Sequence, residues 1–146
     1  MKKFVFKLAS VRHQREAVRD REQQRLAELL ASLDCARRQL GALEREFIET
    51  QQRAMETGAL IEAKELRLRT QYLERLRARI QAAQSGIAKL ERELAQQRQR
   101  AIEAEQNLKA LDKLGERQRA VHQQAARREA QIEADEISLL VRSRQS

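Results

Sequence analysis

Apolar side chains recur along this chain in steps of three and four. From Leu26 the steps land on Leu29, Leu33, Ala36, Leu40, Leu43, Phe47, Thr50 and Ala54. From Leu66 they land on Arg69, Leu73, Leu76, Ile80, Ala83, Ile87, Leu90 and Leu94, and continue through Gln97, Ala101, Ala104, Leu108 and Leu111. A stripe this long, with a mean step of about 3.5, signals a coiled coil. An earlier stripe of Phe4, Leu8, Val11, Arg15 and Val18 is shifted by about one residue, and such a shift alters the supercoil locally.

The two stripes are the legs of a hairpin or segments of one rod. In an antiparallel pair the facing residues have numbers of constant sum. At a sum of 116, Leu43 meets Leu73, Leu40 meets Leu76, Ala36 meets Ile80, Leu33 meets Ala83, Leu29 meets Ile87 and Leu26 meets Leu90. Small faces large in two successive layers, which favours even packing. The fold axis then falls on Gly58, which takes a positive φ at low cost, with Thr57 able to cap the second helix. A register slipped by one heptad, with a sum of 123, keeps the same architecture. The predicted fold is all-α, a long antiparallel two-helix coiled-coil hairpin turning near Gly58. It is one domain over 1–146, with helix 1 at about 4–55, the turn at about 56–62 and helix 2 at about 63–140. Leu26, Leu29, Leu33, Leu40, Leu43, Leu73, Ile80, Ile87 and Leu90 are its expected core. Gly86 reads as a tolerated mid-helix glycine.

The legs are unequal. The same register pairs Leu8 with Leu108 and puts Phe4 near Leu111. Beyond Gly115 helix 2 has no partner from helix 1, yet its sequence still carries Val121, Ala125, Ile132, Ile137, Leu139 and Leu140. An unpaired amphipathic helix of about 25 residues spans roughly 38 Å and either frays or recruits a partner.

Composition fits this picture. The 146 residues include no proline or tryptophan, four glycines, 36% charged residues and 3% aromatics. That supplies a seam one side chain deep, not a globular core. The net charge is +8, which draws nucleic acid, an anionic membrane surface or an acidic protein. The 22 acidic residues are mixed among 30 basic ones, and no aromatic platform interleaves a basic cluster, which argues against a nucleic-acid partner. The first 25 residues have a net charge of +5. They read either as a solvated face or as a docking surface for an acidic cavity, with Arg15 and Glu22 weakening the seam.

No constellation for catalysis or metal binding emerges. His13 and Glu16 make two ligands, which is no site. Cys35 lies off the stripe beside Arg37 and Arg38 and reads as a bystander thiol; a lone cysteine gives no intrachain disulfide. There is no glycine-rich phosphate loop. Lys7 and Arg12 cut the opening apolar run short of a signal sequence, and no window approaches a membrane span. The expectation is a soluble, cytoplasmic protein, not an enzyme, with no cofactor and no metal.

Three stretches together resemble the flagellar export protein FliJ family, with its type III secretion relatives. The opening "FVFKLASVRHQREAVRDREQQRLAELL" is similar to the family's Phe-x-Phe start and Leu-Ala run. The middle "METGALIEAKELRLRTQYL" is similar to its Met-x-x-Gly turn, and the end "RREAQIEADEISLLVRSR" to its charged close. The resemblance covers the whole chain. It implies a non-catalytic stalk similar to that of rotary ATPases, whose helix ends insert into the flagellar export ATPase hexamer. It also implies contacts with the cytoplasmic domain of the membrane export gate and with export chaperones. Carried over, Phe4, Leu8, Arg12, Arg15, Arg19, Glu129, Asp135, Glu136 and Arg142 become the ATPase-facing candidates. Tyr72 and Leu76 become the gate-facing ones, although the register turns Leu76 into the seam and the chain departs from the family at Arg79 and Ala83. A monomer in isolation, peripheral to the inner membrane only through the gate, is implied. A virulence-secretion stalk, a parallel structural scaffold and a basic nucleic-acid binder are the alternatives.

Overall fold

The structure, a computed structural model, describes residues 2–56 and 62–146. Thr57 and Gly58, expected as cap and turn, lie outside the described residues. The chain is all-α, a helical hairpin of two long helices packed against each other, with no strand among the described residues. Helix α1 spans Ala9–Glu56 and helix α2 spans Ala63–Gln145. Their interiors hold no proline and are rich in Ala, Leu, Glu, Arg and Gln, the residues that lose least on entering a helix. The Glu62 carbonyl accepts the Leu66 N–H at 3.1 Å. Glu65 in the first turn of α2 and Arg142 and Arg144 in its last turn complement the macrodipole. Helix α1 has no such start. Its first bond, from Arg12 N–H to the Leu8 carbonyl at 2.9 Å, makes Leu8 the cap, a poor residue for that place, and its first turn holds no acid.

The helices contribute to two compact units, one of Met1–Arg21 with Ile102–Ser146 and one of Glu22–Ala101. In the Glu22–Ala101 unit, Leu29, Leu33, Ile87 and Leu94 form a buried cluster, with Leu26, Ala36, Leu40 and Leu90 packed against it. Leu43, Leu73 and Ile80 are half-buried, and Leu76 is the most enclosed at 1% exposure. The stripe residues therefore meet along a seam, as a period near 3.5 demands. Three polar contacts show the antiparallel sense. Gln97 meets Glu22, Arg37 pairs with Glu91 at 3.3 Å, and Tyr72 meets Glu46. Gln97 is buried at 4% exposure. Its amide donates to the Glu22 backbone carbonyl at 3.0 Å and to the Glu22 carboxylate, so this polar layer leaves no donor orphaned.

In the unit built on Met1–Arg21 and Ile102–Ser146, Ala104 and Leu108 are buried, and Val11 and Val18 are half-buried. Two expectations change here. Leu8 is 36% exposed and Arg15 is exposed, so neither lies in the seam. The half-buried places go instead to Arg12, Glu16 and Arg19. These residues continue the three-and-four stepping back from Leu26, and their apolar stems can cover a seam while the charged ends reach water. The second change is the start of α1, at Ala9 rather than near residue 4. Residues 2–6 are not helical. An extended residue advances about 3.3 Å against 1.5 Å in a helix, so the segment reaches further along α2 than a helical register allows. Phe4 accordingly lies by Arg119 and His122, beyond Gly115.

Candidate partner-binding surface

Residues 2–8 lie along α2. Phe4 and Phe6 are half-buried, while Val5 between them is 76% exposed. That alternation of faces belongs to extended backbone. The Phe6 ring rests against Gly115, whose missing Cβ would sit 3.6 Å from ring carbon Cε1. Phe4 packs on His122, with ring centroids 5.5 Å apart at a tilt of 54°. The Arg119 guanidinium lies 5.7 Å from the Phe4 centroid, within cation–π range. Beside the two rings is an open groove of about 290 Å³, lined also by Leu111, Arg12, Asp112 and Glu116. Arg12 crosses its edge, donating to Asp112 and to Glu16, the latter at 3.0 Å. The hydrogen bond and charge of Asp112 raise the Arg12 pKa above the ordinary guanidinium value. Arg19 pairs with Asp20 at 2.9 Å and approaches Glu16 at 3.9 Å.

Further along, α2 runs exposed. Every residue from 127 to 146 is exposed. Ile132, Ile137, Leu139, Leu140 and Val141 stand among Glu129, Glu133, Asp135, Glu136, Arg142 and Arg144. Asp135 accepts from Gln131 at 3.3 Å and Ser138 donates to the Ala134 carbonyl at 2.9 Å, contacts that hold the helix to itself.

The family model described as "Flagellar FliJ protein" matches residues 3–146. The chain belongs to the FliJ family. No curated protein and no solved structure matches it. Membership gives a structural, stalk-type role in flagellar type III protein export and association with the export apparatus. No helix among the described residues is long and apolar enough to cross a membrane, and no group of His, Cys, Asp and Glu among them could hold a metal ion.

The nine residues expected from the resemblance to face an ATPase fall in one compact unit, Met1–Arg21 with Ile102–Ser146. Phe4 and Arg12 share the groove at Gly115. Leu8 and Arg15 are exposed on or before α1, and Glu129, Asp135, Glu136 and Arg142 on the bare face of α2. The two residues expected at the gate differ sharply. Leu76 is enclosed at 1% exposure, whereas Tyr72 is 36% exposed. The Tyr72 hydroxyl donates to the Glu46 carboxylate. That bond, with lesser help from burial and from the Glu46 charge, raises the phenol pKa, while the charges of Arg79 and Arg75 pull the other way. Arg77 lies over Phe47 at 5.4 Å. Reading the sequence as a helix from residue 4 missed the Phe6, Gly115 and His122 contacts. The signal for them was the spacing of Phe4, Phe6 and Leu8, a period of two.

Proposed function

We propose that the chain is the non-catalytic central stalk of the flagellar export apparatus. In this reading the bare face of α2 enters the ring of the export ATPase, promotes its assembly and activity, and links it to the membrane export gate and to export chaperones. The observation that carries the reading is the run 127–146, a helix exposed at every residue in a member of an export family. An amphipathic helix with no intramolecular partner is ready to bury its apolar side in another protein. Glu129, Asp135, Glu136 and Arg142 there, with Phe4, Leu8, Arg12, Arg15 and Arg19, are the proposed ATPase contacts.

Mechanism follows from asymmetry. One stalk placed in a ring of like subunits offers each of them a different face. Subunits then differ in affinity for it, and their cycles become coupled through that difference. The proposed gate surface centres on Tyr72 with Arg75 and Arg79, while Leu76 supports it from within the seam. The protein works on the cytoplasmic side, as a monomer in isolation, and touches the inner membrane only through the gate.

The test uses purified export ATPase and the doubly substituted chain Leu139→Glu, Leu140→Glu. Both side chains are exposed, so the fold is kept. The parent chain should co-purify with the ATPase and raise its turnover, and the variant should lose both effects at least tenfold. A parent chain that neither binds nor stimulates sinks the reading.

A further inference from the structure

Nothing in the composition of residues 2–8 forbids helix, since they hold neither proline nor glycine. They are held off the helical path by contacts with α2, and α1 below them begins on Leu8 without a favourable cap or an acidic first turn. The end of α1 is therefore set by the docking of two rings. That docking is itself partial. Phe4 and Phe6 are only half-buried, Lys2, Lys3 and Lys7 are exposed, and an open groove of about 290 Å³ lies beside the rings. A segment that is weakly capped on one side and half-seated on the other has two accessible arrangements, one lying on α2 and one lifted from it.

We propose that residues 2–8 are a displaceable strap that occludes the α2 face at Leu111, Gly115, Arg119 and His122, and that lifting it exposes this face to the export ATPase. The second half rests on the function proposed above. A Cβ at 115 would already touch the Phe6 ring at 3.6 Å, so a side chain larger than a methyl group there displaces the ring. Lifting the strap frees that seat and Phe4 together, so the same motion unmasks apolar groups on both sides of the groove.

The experiment uses the full chain with Cys35→Ser, Lys3→Cys and Gln123→Cys, spin-labelled at the two new cysteines. Lys3 and Gln123 line one groove when the strap is seated, so the parent should give a dominant short-distance population beside a minor long one. Gly115→Leu puts a side chain where the ring lies while raising helix propensity. It should shift the distances outward by an amount on the order of 20 Å, the reach of the six free residues from 3 to 8. Gly115→Ala places a Cβ at ordinary contact distance from the ring and should keep the short population. A mainly short distribution in Gly115→Leu, or a mainly long one in the parent, overturns the strap.

The second readout is the stalk concentration that half-maximally stimulates the purified export ATPase, with position 115 varied in the unlabelled chain. A strap seated in nine molecules of ten weakens apparent affinity about tenfold, so Gly115→Leu should need about tenfold less protein than the parent. An equal or higher requirement overturns the occlusion. If neither chain stimulates while the distances shift as expected, the ATPase reading falls and takes the occlusion with it, whereas the strap stands.

Discussion

Leu76→Ala separates a packing residue from a docking residue. The Leu76 side chain is 1% exposed, so the substitution removes buried carbons outright. Three carbons at about 0.8 kcal/mol each give roughly 2.4 kcal/mol for the lost transfer. The cavity left behind adds to this at about 24 cal/mol per Å³, so a residual void of about 30 Å³ brings the total near 3 kcal/mol. The seam is one side chain deep and can partly close over the gap, which keeps the figure in the lower part of the range for such substitutions. Urea unfolding followed by helical circular dichroism should show a lower midpoint at unchanged slope. On heating, a loss of 3 kcal/mol corresponds to a melting shift of about 6–12 °C at this chain length. Leu139→Ala is the control, since Leu139 is 64% exposed and its loss should stay within about 0.5 kcal/mol. If Leu76→Ala unfolds at the same urea concentration as Leu139→Ala, Leu76 does not lie in the seam and the helix register described above is wrong.

Three further outcomes follow. Gln97→Ala removes two donors from a buried layer and strands the half-buried Glu22 carboxylate, which should cost about 1–3 kcal/mol in urea unfolding; Gln97→Leu should recover most of that loss through apolar burial. Tyr72 is the sole tyrosine and there is no tryptophan, so phenolate absorbance titrates that one group. Its pKa should lie above the ordinary value and fall back in Glu46→Gln. Because the fold favours the neutral phenol, the contact's contribution is complete below about pH 10, the unfolded value, and is lost as pH rises through the raised folded one. Arg12 and Asp112 are each more than a third exposed at the side chain. A double-mutant cycle on the pair should therefore give a coupling that shrinks from low to high salt, and a coupling indifferent to salt contradicts an exposed ion pair.

The seam was legible from the sequence because it obeys one rule over many residues. Leu29, Leu33, Ile87 and Leu94 recur at a period only a coiled coil satisfies, and all four are buried. Among the cross-helix polar contacts, Glu22–Gln97 and Glu46–Tyr72 fall between the two registers that the pattern alone allowed, and the long Arg37 and Glu91 side chains meet beyond both. Apolar layers a heptad apart are nearly equivalent, so hydrophobic stepping cannot rank them finely. The opening residues misled for a different reason. Phe4, Leu8, Val11, Arg15 and Val18 fit a helical stripe, yet Phe4, Phe6 and Leu8 equally fit a period of two. The choice turned on a tertiary contact, the seat at Gly115, which no local propensity encodes. The tail was legible as amphipathic, but its apolar residues alone do not name what covers them.

The bare face of α2 has a consequence for how such a chain changes over generations. A residue in the seam answers to its neighbours, so a substitution there risks unfolding before binding can be altered at all. From 127 to 146 every side chain is exposed, and a replacement that keeps helix propensity costs the fold almost nothing. Under the proposed function, mutations in that stretch act on affinity alone. A lineage could then retune or re-target the proposed partner there without first acquiring compensating stability, while the buried seam stays fixed by its own packing.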